Sequence, residues 1–263
     1  MPYEDPACPY KTTDYYYRPG HNARNKSCTS LLYTCRRAWI EANHLPLQLA
    51  EPTFWMRNEE RQPEWTRRNR SDEKDDGLRD EKRFLKLMNR LTVNNRVNLK
   101  GIHIFAQVFW LEQDMWANMV FDGAEMDHTS FAWPSEVKMT IRHTDWWCWE
   151  RNRPLSIQDD CIRRLLDRPA LKSAEHFILD LETLRSSREK VDQLENIIRR
   201  IKTKQKMIGD WVIDDDSGLE ISQWTRPGNI DGKPVPAHTH LTQLDYCIYR
   251  VRWENMGPAR KTA

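Results

Sequence analysis

Three segments of the chain alternate apolar and polar residues with period two. They are GIHIFAQVF (Ile102, Ile104, Ala106, Val108), EVKMTIRH (Val137, Met139, Ile141) and HFILDLET (Phe177, Leu179, Leu181). Successive side chains of a strand point to opposite faces, so this period marks strands with one face in a core. Matching positions lie about 36 and 40 residues apart, too far for a hairpin and far enough for a crossover connection. The pattern predicts an α/β fold: a mainly parallel sheet with crossover helices.

The segments between the strands supply helical stripes. IQDDCIRRLLDR places Cys161, Ile162, Leu165 and Leu166 on one face, and LRDEKRFLKLMNRL does the same with Phe84, Leu85, Met88 and Leu91. From Ser27, Leu31, Leu32, Cys35, Ala38, Trp39 and Ala42 recur at helical spacing until Pro46. The stretch 111–135 carries a weaker helical pattern. After the third strand, Ser186 and Glu189 have capping-box spacing, and Val191, Leu194, Ile198 and Ile201 repeat in threes and fours. This reads as a helix packed on the sheet, with a short coiled coil to a partner as the alternative. EPTFWMR suits a short strand. DWVIDDDSGLEISQW reads as a C-terminal hairpin turning at Asp216 to Gly218, and DYCIYRVRW as a final strand.

Residues 1–26 show no periodicity. DYYYRPG within them suits an extended arm that lays its rings across the domain, which leaves 27–263 as a single α/β domain. The charged run at 58–77 reads as a solvated loop.

Composition narrows the function classes. Aromatic residues at 10% argue against general disorder. The net charge of +2 is the difference between 41 basic and 39 acidic residues, so no global field directs the chain to nucleic acid or to an anionic membrane. The sequence contains neither a membrane-spanning run nor a signal-peptide pattern at its start, so the expectation is an intracellular chain, in cytoplasm or nucleus. Its six cysteines are scattered without C-x-x-C spacing, as reduced thiols are.

In an open parallel sheet, ligands collect at the carboxyl ends of the strands. That rule gathers His143, Asp145, Trp146, Trp147, Trp149 and Glu150 after the second strand, Trp110 and Glu112 after the first, and Glu182 after the third. A histidine beside carboxylates suits acid–base work, so His143, Asp145 and Glu182 are the catalytic candidates. Trp110, Trp146, Trp147, Trp149 and Glu150 are the binding candidates, suited to a protein surface or to an aromatic or hydrophobic small molecule. The bland alternative is that the indoles cap the core and the polar groups bond to loop backbone. Asp214, Asp216 and Gly218 resemble part of a calcium loop but lack its later Glu, and His238 with His240 lack a third ligand, so no metal is expected. With no P-loop, nucleophile elbow, H-E-x-x-H or G-x-G-x-x-G, no cofactor is expected either.

The succession YYRPG, TSLLYTCRRAWIEANHLPL, PTFW, IHIFAQVFWLE, MTIRHTDWWCWE and FILDLETL resembles a family of uncharacterised fungal proteins related to F-box-associated regions. The resemblance spans about residues 15 to 225, and its most specific parts are the TCR helix and the IRHTDWWCWE block. It implies a ligand-recruiting or adaptor role. The chain departs from that pattern in having no F-box helix set before TSLLYTCRR and no fixed leucine-rich repeat register. The expectation is therefore a protein-binding or adaptor domain, with a small metal-independent cyclase or isomerase of secondary metabolism as the alternative.

Overall fold

A computed structural model describes residues 2–21, 23–27, 34–42, 45, 51–56, 80–92, 96, 99–113, 133–214, 216–230, 232–235, 238 and 241–257. The three alternating segments lie side by side in it as β4 (Gly101–Ala106), β5 (Glu136–Ile141) and β6 (His176–Leu184). All are parallel, with Ile104 opposite Met139 and Met139 opposite Leu179. β3 (Thr53–Met56) adds a fourth parallel strand beside β4. Among the described residues the main sheet has eight strands. Beyond β6 it continues antiparallel through β12 (Gln243–Asn255) to β8 (Trp211–Ile213) and β7 (Met207–Ile208), while β9 (Leu219–Pro227) also pairs with β12; the short β10 (Asn229–Ile230) and β11 (Lys233–Pro234) pair with each other outside this sheet. A mixed α/β sheet whose centre is parallel is thus the architecture.

The predicted stripes become the covering layer. Side by side on one face lie Ile102, Ile104, Ala106, Val137, Met139, Ile141, Phe177, Leu179 and Leu181, each at most 1% exposed. Fully burying a side chain of this size stabilises the fold by about 1.5–3 kcal/mol. α2 (Asp80–Arg90) contributes Phe84 and Met88 to the core, α4 (Cys161–Leu166) contributes Cys161, Ile162, Leu165 and Leu166, and α5 (Arg188–Lys204) contributes Val191, Leu194, Ile197, Ile198 and Ile201. α5 packs on β6, as the sheet-packing reading has it. Its N-cap is Ser187, whose hydroxyl accepts from Lys190 N–H, one residue beyond the expected Ser186. The short helices α1 (Arg36–Ala42) and α3 (Val108–Glu112) complete the described helices longer than one or two 3-10 turns. The loop 58–77, most of 111–135 and the first residues of the 27–42 stripe lie outside the described residues.

Two expectations need correction. The segment 211–225 does not fold back at Asp216 to Gly218: β8 and β9 both run along the edge of β12 that faces away from β6. The antiparallel partner of each is β12. What lies between them is an interruption of one line of pairing, with Ser217 Oγ and N–H exchanging bonds with Arg252 and Asp214 in place of a ladder. Tight hairpin turns reverse the chain only when the flanking strands can pair with each other, and here β12 has taken that role for both.

The N-terminal arm, expected as one extended piece, is a hairpin of β1 (Pro2–Pro9) and β2 (Ala23–Ser27), and the described part of its tip spans 10–21. Its tip covers the second face of β4–β6, so His103 and Phe105, polar-side positions by periodicity, are 3% and 1% exposed. Among the described residues, no helix is long and apolar enough to cross a membrane.

Candidate functional site

The strand ends do converge. β5 stops at Ile141, and the chain enters a single 3-10 turn, His143–Asp145. The Asp145 carboxylate closes that turn: Oδ2 accepts from Arg142 N–H at 3.2 Å and from Arg142 Nε at 2.7 Å, and Oδ1 accepts from Arg142 Nη2 at 2.9 Å. This forked pairing is the strong geometry for guanidinium and carboxylate. Arg142 Nη1 donates to Tyr15 O at 2.9 Å, and its guanidinium lies over the Tyr15 and Trp55 rings at 4.3 and 4.6 Å. Tyr15 Oη donates to Asp145 at 3.3 Å. Burial pulls the Arg142 pKa down, but Asp145, together with Tyr15 and Glu182, outweighs it and the net shift is upward.

A second ion pair lies beside the first. Arg18, from the hairpin tip, reaches Glu182 at 2.8 Å, and both side chains are buried. Glu182 also accepts from His143 N–H at 3.0 Å and from Trp224 Nε1 at 2.9 Å, while its backbone carbonyl accepts from Trp146 Nε1 at 2.8 Å. Arg18 sits over Phe105 at 5.3 Å and Trp224 at 5.8 Å. Desolvation lowers its pKa, partly offset by Glu182. Trp224 and Tyr246, opposite each other in the β9–β12 register, stack at 4.5 Å.

The catalytic candidates are thus neighbours engaged with other groups. Asp145 neutralises Arg142, and Glu182 neutralises Arg18. The ring of His143 is buried among Trp149, His238 and Tyr246, with centroids 5.9 to 6.0 Å away, and neither of its nitrogens has a hydrogen-bond partner among the described residues. Burial first, then the charges of His238 and Lys190, push its pKa down to about 3, so it is neutral at pH 7. General acid–base transfer needs the imidazole within hydrogen-bond reach of a carboxylate or substrate atom. Here it is the backbone N–H of His143, not the ring, that meets Glu182.

The binding candidates divide. Trp110, Trp146 and Trp149 are 1%, 3% and 5% exposed, which withdraws them from direct contact with a partner and makes them core, the bland alternative. Trp147 and Glu150 are half-buried. Trp147 Nε1 donates to Glu112 at 2.7 Å, and the other carboxylate oxygen of Glu112 takes Gln158 N–H at 2.8 Å, so this corner is cross-tied as well. Cys148 and Asn152 adopt left-handed conformations at φ of 49° and 50° on either side of the 3-10 turn Trp149–Arg151. Among the described residues no three His, Cys, Asp or Glu side chains form a metal-binding group.

Sequence reasoning expected the DYYYRPG rings to lie across the domain but missed the place of Tyr15, Arg18, Arg142, Trp224 and Tyr246 in this site. Arg142 and Asp145 at i,i+3 directly after a strand were a readable signal; the long-range pairing of Arg18 with Glu182 had none. Comparison of the chain with family models, curated proteins and solved structures finds no match.

Proposed function

We propose that the chain is a protein-binding domain that takes an extended segment of a partner along the free edge of β9. The supporting observation is local: Leu219, Glu220, Ile221, Ser222 and Gln223 are all exposed, although they belong to a strand. Among the described residues β9 pairs only with β12, so its outer edge offers N–H and C=O groups in a row. Such an edge is a template for another extended backbone, and alternate side chains of the incoming strand give selectivity. Leu219 and Ile221, 60% and 42% exposed, supply apolar contact beside it.

The span argues for a peptide rather than a second copy of the chain. Stable protein interfaces use roughly 20–30 residues a side, whereas this stretch is short, and the register shift between Ile248 and Tyr249, which leaves Ile221 without an opposite residue on β12, bends it away from long flat pairing. An adaptor role of the F-box-associated kind, in the cytoplasm or nucleus of a fungal cell, belongs to the same proposal. The acid–base enzyme reading has less behind it, since Asp145 and Glu182 are held in ion pairs.

Selecting extended peptides from a displayed library tests the proposal. Peptides selected on the wild-type chain should bind the folded Leu219→Lys/Ile221→Lys variant at least about tenfold more weakly, because charges on an edge oppose strand addition. They should bind Trp147→Ala unchanged. Equal affinity for the wild-type chain and the lysine variant would overturn it.

A further inference from the structure

The receptor half of the Arg18 pair is assembled without the hairpin. Glu182 is fixed by His143 N–H, Trp224 Nε1 and, through its own carbonyl, Trp146 Nε1. Phe105 and Trp224 stand beside the space the guanidinium fills. All of these residues lie on β4, β6, β9 or the turn after β5. A carboxylate that accepts from two fixed donors, on a residue whose backbone carbonyl is held by a third, and that is flanked by aromatic faces is the chemistry that recognises a guanidinium: charge-assisted bonding on one side and cation–π attraction on the other.

The occupant is attached differently from the rest of the fold. Within 10–21 the described backbone–backbone hydrogen bonds run inside the tip, from Asp14 N to Lys11 O, Tyr17 N to Asp14 O and His21 N to Arg18 O. The tip is held to the body by side chains: Arg18 on Glu182, Arg142 on Tyr15 O, Tyr15 on Asp145, and Arg226 Nη2 on the carbonyls of Thr13 and Asp14. Such a tip can leave as a unit without unpairing a strand of the sheet. Arg18 also uses its receptor incompletely, for its buried Nη1 has no acceptor among the described residues.

We infer that the crevice at the carboxyl ends of β4–β6 is a recognition site for an arginine side chain carried on an extended segment of a partner protein, and that Arg18 fills it in cis. The tip then acts as a resident competitor, and a partner arginine enters as Arg18 leaves. Arg142 and Arg226 lie close by, but Arg142 is neutralised by Asp145, and Arg226 keeps the Asn229 carbonyl at 3.5 Å when those of Thr13 and Asp14 leave with the tip, so Glu182 is the carboxylate for the incoming cation. This site is separate from the β9 edge and stands or falls independently of it.

Arg18→Ala in the 263-residue chain provides the test, with ethylguanidinium and a synthetic peptide of residues 13–21 as probes. Both should raise the Tm of the variant by roughly 3–5 °C for each tenfold excess over their dissociation constants. Ethylammonium and the peptide carrying lysine in place of its arginine should not, and the response should vanish in Arg18→Ala/Glu182→Gln. The wild-type chain, already filled, should respond at least about tenfold less. A folded Arg18→Ala chain indifferent to the guanidinium probes, or a wild-type chain stabilised to the same degree, overturns the inference. Should Arg18→Ala fail to fold, Arg18→Lys replaces it: the same peptide must displace the lysine tip, and failure to bind overturns the inference equally.

Discussion

Glu182 on β6 and Arg18 at the hairpin tip meet at 2.8 Å in a buried ion pair that ties the N-terminus of the chain to the middle of its sheet. Removing one partner of such a pair strands the other charge, which typically costs 3–5 kcal/mol, whereas replacing both is far milder. Glu182→Gln alone is accordingly expected to lower stability by about 3–5 kcal/mol. Arg18→Met/Glu182→Gln should cost less than the sum of the single changes by more than ~1 kcal/mol. Urea unfolding of the four chains measures the coupling, and strict additivity would remove the pair from the account.

His143 gives a pH signature. Its pKa is near 6.5 unfolded and about 3 folded, so between those values the unfolded chain binds the extra proton. The stability tied to the neutral ring is complete above pH 6.5 and is lost as pH falls toward 3, at up to roughly 1.4 kcal/mol per pH unit. His143→Phe should reduce the slope of stability against pH by about one proton's worth over pH 6.5–4. Some slope remains from His21, whose pKa burial lowers to about 4. At pH 7 the variant should be at least as stable as the wild type, because the ring nitrogens it removes are unpaired. An unchanged slope would mean that His143 is solvated.

These two residues mark how far the sequence was legible. The period-two runs placed Ile104, Met139 and Leu179 in one register, because apolar alternation is a local property of a buried face. The stripe of α5 was legible for the same reason. The convergence of His143, Asp145 and Glu182 followed from the parallel topology. Their partners did not: Arg18 and Trp224 reach Glu182 from opposite ends of the chain, and no local pattern encodes such a pairing. Burial of His103 and Phe105 was hidden likewise, since alternation assigns a solvent face but not the hairpin tip that covers it.

Tyr15 separates ring from hydroxyl. The ring is 3% exposed and lies against Arg142, while the hydroxyl donates to Asp145 over a long 3.3 Å. Tyr15→Phe should cost no more than about 1 kcal/mol and Tyr15→Ala about 3–5 kcal/mol, both by urea unfolding. Equal losses would assign the tip's attachment to the hydroxyl instead.

Gly218 tests the continuous β8–β9 line. Its φ is +88°, and a Cβ there would stand 2.7 Å from Ile198 Cγ2 on α5. Gly218→Ala therefore adds left-handed strain and a clash, with an expected loss of about 1–3 kcal/mol. A hairpin turn free of α5 would accept alanine at the cost of the strain alone, and a second change, Ile198→Ala, should then bring no relief. In the geometry described, it relieves part of the clash, which a double-mutant cycle detects.

Hydrogen exchange of the indole N–H groups, followed by NMR, addresses the central claim that the strand-end crevice is closed around Glu182 by the chain itself. Trp146 and Trp224 donate to Glu182 from buried positions, so their indole protons should exchange only through opening of the tip or of the whole fold, orders of magnitude more slowly than a free indole. Arg18→Ala should speed Trp224 exchange while the amides of β4–β6 stay protected. Trp146 and Trp224 protons that exchange at the rate of exposed indoles in the wild-type chain would contradict the account.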